Sequence, residues 1–148
     1  MQKNQNNNEF LGHGWSFPPR FNTHNREIEL VGYEQDIKES LYILLSTTPG
    51  ERVMQPSFGC GIKKVVFETI TESVVTRVRD AVEKAVLFFE PRITLQSVTV
   101  DVSDDISDGS SVYNGVLKIN VSYIIRKTNT RSNIVYPFYF LEGSNVKF

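Results

Sequence analysis

Two stretches of the chain carry apolar residues at helical spacing, and the stretches after residue 91 carry them at every second position. Tyr33, Ile37, Leu41, Leu44 and Leu45 share one face of a predicted first helix. Gly32 is an acceptable N-cap, Glu34 and Asp36 suit the positive end of the helix dipole, and Pro49-Gly50 ends the pattern. A Gly- and Pro-punctuated loop over 50–61 follows, and residues 62–67 add one helical turn. Thr69 and Glu72 fit a capping box for the second helix. Its apolar stripe is Val74, Val78, Ala81, Val82, Ala85 and Phe89, and Arg77, Arg79, Asp80, Glu83 and Lys84 fill the other face. Pro91 stops it, because proline biases Glu90 away from helical angles.

The strand period then takes over. Ile93 and Leu95 alternate in one phase and Val98, Val100 and Val102 in the other, so a bulge near Gln96-Ser97 is needed to keep one face apolar. Asp104 to Gly115 reads as an acidic turn. Leu117, Ile119, Val121, Tyr123 and Ile125 alternate with polar residues as a half-buried strand. Lys127 to Asn133 reads as a polar connection, and Ile134 to Leu141 as a third strand with aromatics on both faces. Ile28, Leu30 and Val31 suit a short strand. The segment from Phe10 to Pro19 shows neither period and is expected to lie extended.

The predicted fold class is α+β: two main helices packed on one face of a small antiparallel β-sheet of about three strands, preceded by an extended N-terminal segment. Residues 1–9 are expected to be disordered and 10–148 to form a single domain. The expected core is Ile37, Leu41, Leu44, Val78, Val82, Ala85, Phe89, Ile119, Val121 and Tyr123.

Charge and chemistry narrow the function. Sixteen basic against seventeen acidic residues give a net charge of −1, so neither nucleic acid nor an anionic membrane is expected as a partner. No apolar run approaches the ~20 residues of a membrane span, and Met1 to Glu9 lacks an apolar signal core. Cys60 is the single cysteine, which fits synthesis in a reduced, cytoplasmic compartment. His13 and His24 have no ligand partners at metal spacing, and Cys60, between two glycines, has no His from an ordered element to activate it. Asp104 to Gly115 fails as a calcium loop: Ile106 stands where an oxygen ligand is required and Gly115 where the bidentate Glu belongs. Glu51, Glu68 and Glu90 are the carboxylates available for glycosidase chemistry, with nothing in the sequence to supply a cleft. The expectation is a non-enzyme without catalytic residues, metal or cofactor.

Four segments, in this order and spacing, carry a resemblance. They are Leu11-Gly12-His13-Gly14-Trp15-Ser16-Phe17-Pro18-Pro19, the helix Glu34 to Leu45 with Thr48-Pro49-Gly50-Glu51-Arg52, Pro56 to Ile62 with Val66-Phe67-Glu68, and Glu90-Pro91-Arg92-Ile93. From about Phe10 to Leu141 the chain resembles the phage tail baseplate wedge family, which includes a subunit of type VI secretion systems. Gln55 stands where the family often has Arg, so an ionic contact there is not carried over. The Gly12-x-Gly14-Trp15-x-Phe17-Pro18 opening is closer to phage and extracellular injection particles than to the type VI branch.

The resemblance implies a structural subunit present in several copies in a ring. Its partners would be the sheath protein and other baseplate wedge and hub or spike proteins. It would be assembled in the cytoplasm and end in a virion-like, extracellular or membrane-attached injection particle. In the family, the sheath docks by donating strands to this subunit's sheet. The residues fit that role: Ile134, Tyr136, Phe138 and Phe140 lie on a strand that carries no Lys, although Pro137 removes one donor. A loop or the N-terminal segment covering that edge within the monomer is the alternative. Glu90, Pro91 and Arg92 form a rigid corner whose Arg suits a partner carboxylate, or else a plain helix stop with two exposed charges. On the first reading, Arg92→Glu should cost the isolated fold little. Trp15 and Phe17 are the candidate contacts of the N-terminal segment. The competing functions are a muramidase-like enzyme and a regulatory binding module similar to bacterial anti-adaptor proteins.

Overall fold

The computed structural model describes residues 12–65, 68–102 and 116–139. They form two α-helices, a short 3-10 helix and antiparallel sheets, an α+β fold. The chain divides into two compact units, residues 1–42 and 43–148.

The first unit is an interrupted hairpin followed by most of a helix. Strand β1 (His13–Trp15) pairs with β4 (Leu30–Gly32), and β2 (Phe21–Asn22) with β3 (Glu27–Ile28). Between the two ladders the Ser16 N–H donates to the Glu29 carbonyl at 3.1 Å, and the Glu29 N–H to the Arg20 carbonyl at 2.8 Å. Part of the segment expected to be merely extended is therefore strand. Pieces of two or three residues are too short to show alternation. A Cβ at Gly14 would meet the Asp36 carboxylate, which would have to swing aside. Helix α1 (Tyr33–Ser46) starts where the pattern places it, with Glu34 and Asp36 in its first turn. Its stripe Ile37, Leu41, Leu44 and Leu45 is buried.

In the second unit a loop leads from α1 to the 3-10 helix Gly61–Val65, then to α2 (Glu72–Phe89) and strands β5 (Ile93–Val102), β6 (Val116–Ile125) and β7 (Thr130–Tyr139). The N-cap of α2 is Thr71, not Thr69. Thr71 is extended and its hydroxyl accepts the Val74 N–H at 3.4 Å. Glu72 then becomes the first helical residue, where its charge still favours the dipole but cannot close a capping box. Val74, Val78, Val82, Ala85 and Val86 are buried, and α2 packs on β5 and the 3-10 helix. The half-buried Phe89 is the one predicted core residue that is not fully enclosed.

The sheet is a meander in the order β5-β6-β7. Its register slips between Leu95 and Ser97, the bulge that the phase change requires. Alternate residues of β6, from Leu117 to Ile125, are buried, so the register of both neighbours is fixed by the core. The polar connection is shorter than expected. Ile125 already pairs with Thr130, Asn129 has φ +53, and residues 130–133 belong to β7. Asn accepts that left-handed geometry better than most residues. The acidic turn over 104–115 and Val66-Phe67 lie outside the described residues.

Candidate functional site

The residues singled out above fall in three places. On the hairpin of the first unit, Trp15 lies opposite Leu30 in the ladder and is 70% exposed. Phe17 is better anchored: its N–H donates to Glu39 Oε2 at 2.9 Å, and its ring lies 6.1 Å from that of Tyr42. Phe21, the end of the N-terminal segment expected to dock on another subunit or pack across the domain, is 75% exposed.

The second place is the corner between α2 and β5. Its charges do not project as a pair of free surface groups. Glu90 is only 3% exposed, and Arg92 grips it with two charge-assisted hydrogen bonds, Nε to Oε1 at 2.6 Å and Nη2 to Oε2 at 2.8 Å. Proline between them turns the chain so that residues two apart meet face to face. The corner is also tied to the sheet: the Arg126 N–H donates to the Arg92 carbonyl at 3.0 Å, and Arg126 Nε to the Ile93 carbonyl at 3.1 Å. Arg126 gave no signal in the sequence, because its position depends on the β5–β6 register.

The third place is β7. Tyr136 and Phe138 are buried, so their side chains serve the core and only their main chain is available at the strand edge. Ile134 is half-buried. Val135 and Tyr139 are the apolar residues of β7 that face solvent. Phe140 lies outside the described residues. Pro137 stands opposite Lys118, with pairing to β6 continuing on either side. Its nitrogen costs no ladder bond if it faces away from β6, the usual setting of proline on an edge strand. Among the described residues no further strand pairs with β7.

The structure does not bring the corner and the β7 aromatics together. Ile93 pairs with Ile125 at one end of β6, while Phe138 pairs with Leu117 at the other. At ~3.4 Å per residue these ends are roughly 27 Å apart.

The three carboxylates considered for glycosidase work are each held by a cation. Glu51 pairs with Lys63 at 3.5 Å, Glu68 is forked by Arg77, and Glu90 is gripped by Arg92. The Thr48 N–H, with a smaller contribution from Lys63, holds the Glu51 carboxyl below its ordinary range. A general acid needs the opposite shift.

Cys60 is enclosed, and burial pushes its thiol up to about 11. A thiol kept neutral at physiological pH is a packing group rather than a nucleophile. Labelling by a soluble disulfide reagent at pH 8 is expected to be roughly 100-fold slower in the native than in the urea-unfolded chain, in proportion to the thiolate lost. Equal rates would show that Cys60 is not enclosed. Because the folded value lies above the unfolded one, the stability linked to this thiol is complete below about pH 9 and is lost as pH rises through about 11. Among the described residues no three His, Cys, Asp or Glu side chains gather as a metal group, and no helix is long and apolar enough to cross a membrane.

Comparison with known proteins places this architecture. The chain is 38% identical over 72 residues to the baseplate wedge protein gp25 of Enterobacteria phage T4, and the match covers 48% of this chain and 54% of that one. It thus spans about half the length of that relative. A Geobacter sulfurreducens structure with a provisional tail-lysozyme name is 42% identical and superposes with a TM-score of 0.66, over 80% of this chain and 99% of that one. A chain in the baseplate of the anti-feeding prophage shares the fold at 24% identity and a TM-score of 0.62, over 91% of this chain and 90% of that one. The family model described as baseplate wedge protein gp25 matches residues 31–130, from β4 through α1, α2, β5 and β6 to the first residue of β7, and the chain therefore belongs to that family.

Proposed function

We propose that this chain is a non-enzymatic structural subunit in the baseplate of a contractile, phage tail-like injection particle. It joins hub and wedge proteins to the first sheath ring and starts sheath assembly by accepting a sheath strand on the outer edge of β7. The observation that carries this reading is the edge itself. Strand β7 is ten residues long, regular in register throughout, and paired on one side only among the described residues. Edge strands of that length are templates for strand addition unless something blunts them. The opposite edge, β5, is interrupted by its bulge and is the poorer acceptor. The pairing of Glu51, Glu68 and Glu90 with cations supports a structural rather than a muramidase role.

Val135→Pro tests the proposal. Val135 is exposed and lies two residues before Pro137, so its N–H faces the same side as the proline nitrogen. The variant should fold and melt like the parent and should enter baseplates, yet electron microscopy should show baseplates bare of sheath. Full-length sheaths on Val135→Pro baseplates would refute strand addition at β7.

A further inference from the structure

The residues of β6 that alternate with its buried ones point away from the core, and their partners on β5 and β7 share that outer face. One row across it is Ser97, Ser122 and Asn133, and the next row ends on Arg131, opposite Ile124. Gln96, the extra residue of the bulge, has no partner in the β5–β6 register. Together these side chains border an open recess of about 390 Å³ that reaches from β5 to β7.

The recess holds a positive charge without its complement. No carboxylate among the described residues pairs with Arg131. Asp101, the one carboxylate on the three strands of this sheet, stands opposite Lys118 and accepts from Asn120 Nδ2 at 2.7 Å. Lys118 lies roughly 20 Å along β6 from Ile124, at ~3.4 Å per residue. Arg126, at the same end as Arg131, directs its Nε to neutral groups, the Ile93 carbonyl and the Thr94 hydroxyl, each at 3.1 Å. The hydroxyls and amides beside Arg131 cannot neutralise it, but they can complete the hydrogen bonding of a carboxylate that does.

We propose that the recess takes the carboxylate of an Asp or Glu carried by the sheath strand that adds to β7, held in the fork of Arg131 with Asn133 and Ser122 donating beside it. The place of Arg131 on the edge supports this occupant. Arg131, Asn133 and Pro137 are separated by even numbers of residues in an unbroken register, so their main-chain groups face the same side. With the proline nitrogen outward, Arg131 and Asn133 turn their N–H and carbonyl groups to the added strand. The residue of that strand opposite Arg131 shares its face, with Cβ atoms ~4.5–5.5 Å apart. Main-chain bonds alone accept many sequences and registers. A carboxylate required at one position selects both the strand and its register. The inference rests on strand addition at β7 and names the chemistry the added strand must carry.

R131E should melt like the parent, because Arg131 is exposed and its loss strips no carboxylate of a partner. Baseplates with R131E should carry sheath at least about tenfold less often, since a like-charge contact replaces a pair. R131Q adds no charge and should show a loss in the same direction, which keeps the test decisive if R131E melts lower. R131K keeps the charge without the fork and should form sheathed particles in reduced number. Treating these particles with a carbodiimide, which joins an amine to a carboxylate in direct contact, should link the new amine at position 131 to an Asp or Glu of the sheath protein. Mass spectrometry of the joined peptides reads the link. A link from position 131 to a carboxylate of this chain or of another baseplate protein overturns the assignment, as does the absence of any link there. Normal sheath on R131E baseplates beside bare Val135→Pro baseplates defeats the carboxylate contact and leaves strand addition standing. Sheath on Val135→Pro baseplates removes strand addition, and this inference with it.

Discussion

Val82→Asp is expected to abolish the folded state of the second unit near neutral pH. Val82 is 0% exposed, in the middle of the buried stripe of α2, with Val78, Ala85 and Val86 within a turn. Ser16 and Glu90 are the buried polar residues among those described, so no buried cation waits there for a new carboxylate. Burying an unpaired charge costs several kcal/mol, comparable to the whole ~5–15 kcal/mol stability of a domain. The sign with pH follows from the same cause. Burial raises the folded pKa of the introduced Asp above its unfolded value of about 3.9, so the damage is smallest below that value and grows as pH rises. Urea titrations followed by circular dichroism at pH 4 and pH 7 should show the variant far weaker at pH 7. A cooperative melt within about 2 °C of the parent at pH 7 would remove Val82 from the core.

Arg92→Glu should also destabilise the isolated chain, by about 2–4 kcal/mol, the range for breaking a buried ion pair reduced because Arg92 remains partly exposed. From sequence alone the substitution looks like a cheap surface charge reversal. The structure overturns that expectation, because the partner of Arg92 is the buried Glu90 and the variant would set two carboxylates against each other. The double variant Glu90→Gln with Arg92→Met should recover most of the loss, since it leaves no unpaired charge behind. If Arg92→Glu melts like the parent, the grip seen here contributes nothing to the fold. A docking defect in Arg92→Glu is interpretable only after the double variant has been compared.

Where burial imposes a period, the sequence is transparent. The stripes of α1 and α2 place most of their residues as read, with Tyr33, Ala81 and Phe89 only half-buried and Val86 buried in addition; the alternation of β6 holds throughout, and the change of phase in β5 locates the bulge at Gln96. Legibility fails where the period has too few residues or no buried face to reveal it. The hairpin of the first unit is made of two- and three-residue strands. The start of β7, Thr130 to Asn133, is polar at both parities, so it reads as loop until pairing with β6 is known. The candidate interface was harder still. Whether Glu90 is buried depends on how Pro91 folds two neighbours together, and the distance from corner to aromatics depends on the register of a hairpin.

Pro137 bears on how the subunit survives before assembly. A ten-residue strand paired on one side only among the described residues risks pairing with its own copies, each new copy extending a fibre. With its hydrogen-free nitrogen on the outer side, Pro137 breaks the row of donors near the end of that edge. Two identical strands meeting there would each bring the same defect, so self-templating is penalised twice per contact. A foreign strand brings an intact ladder and meets the defect once. If β7 accepts a sheath strand as proposed, this one residue biases the edge toward that partner and away from identical copies.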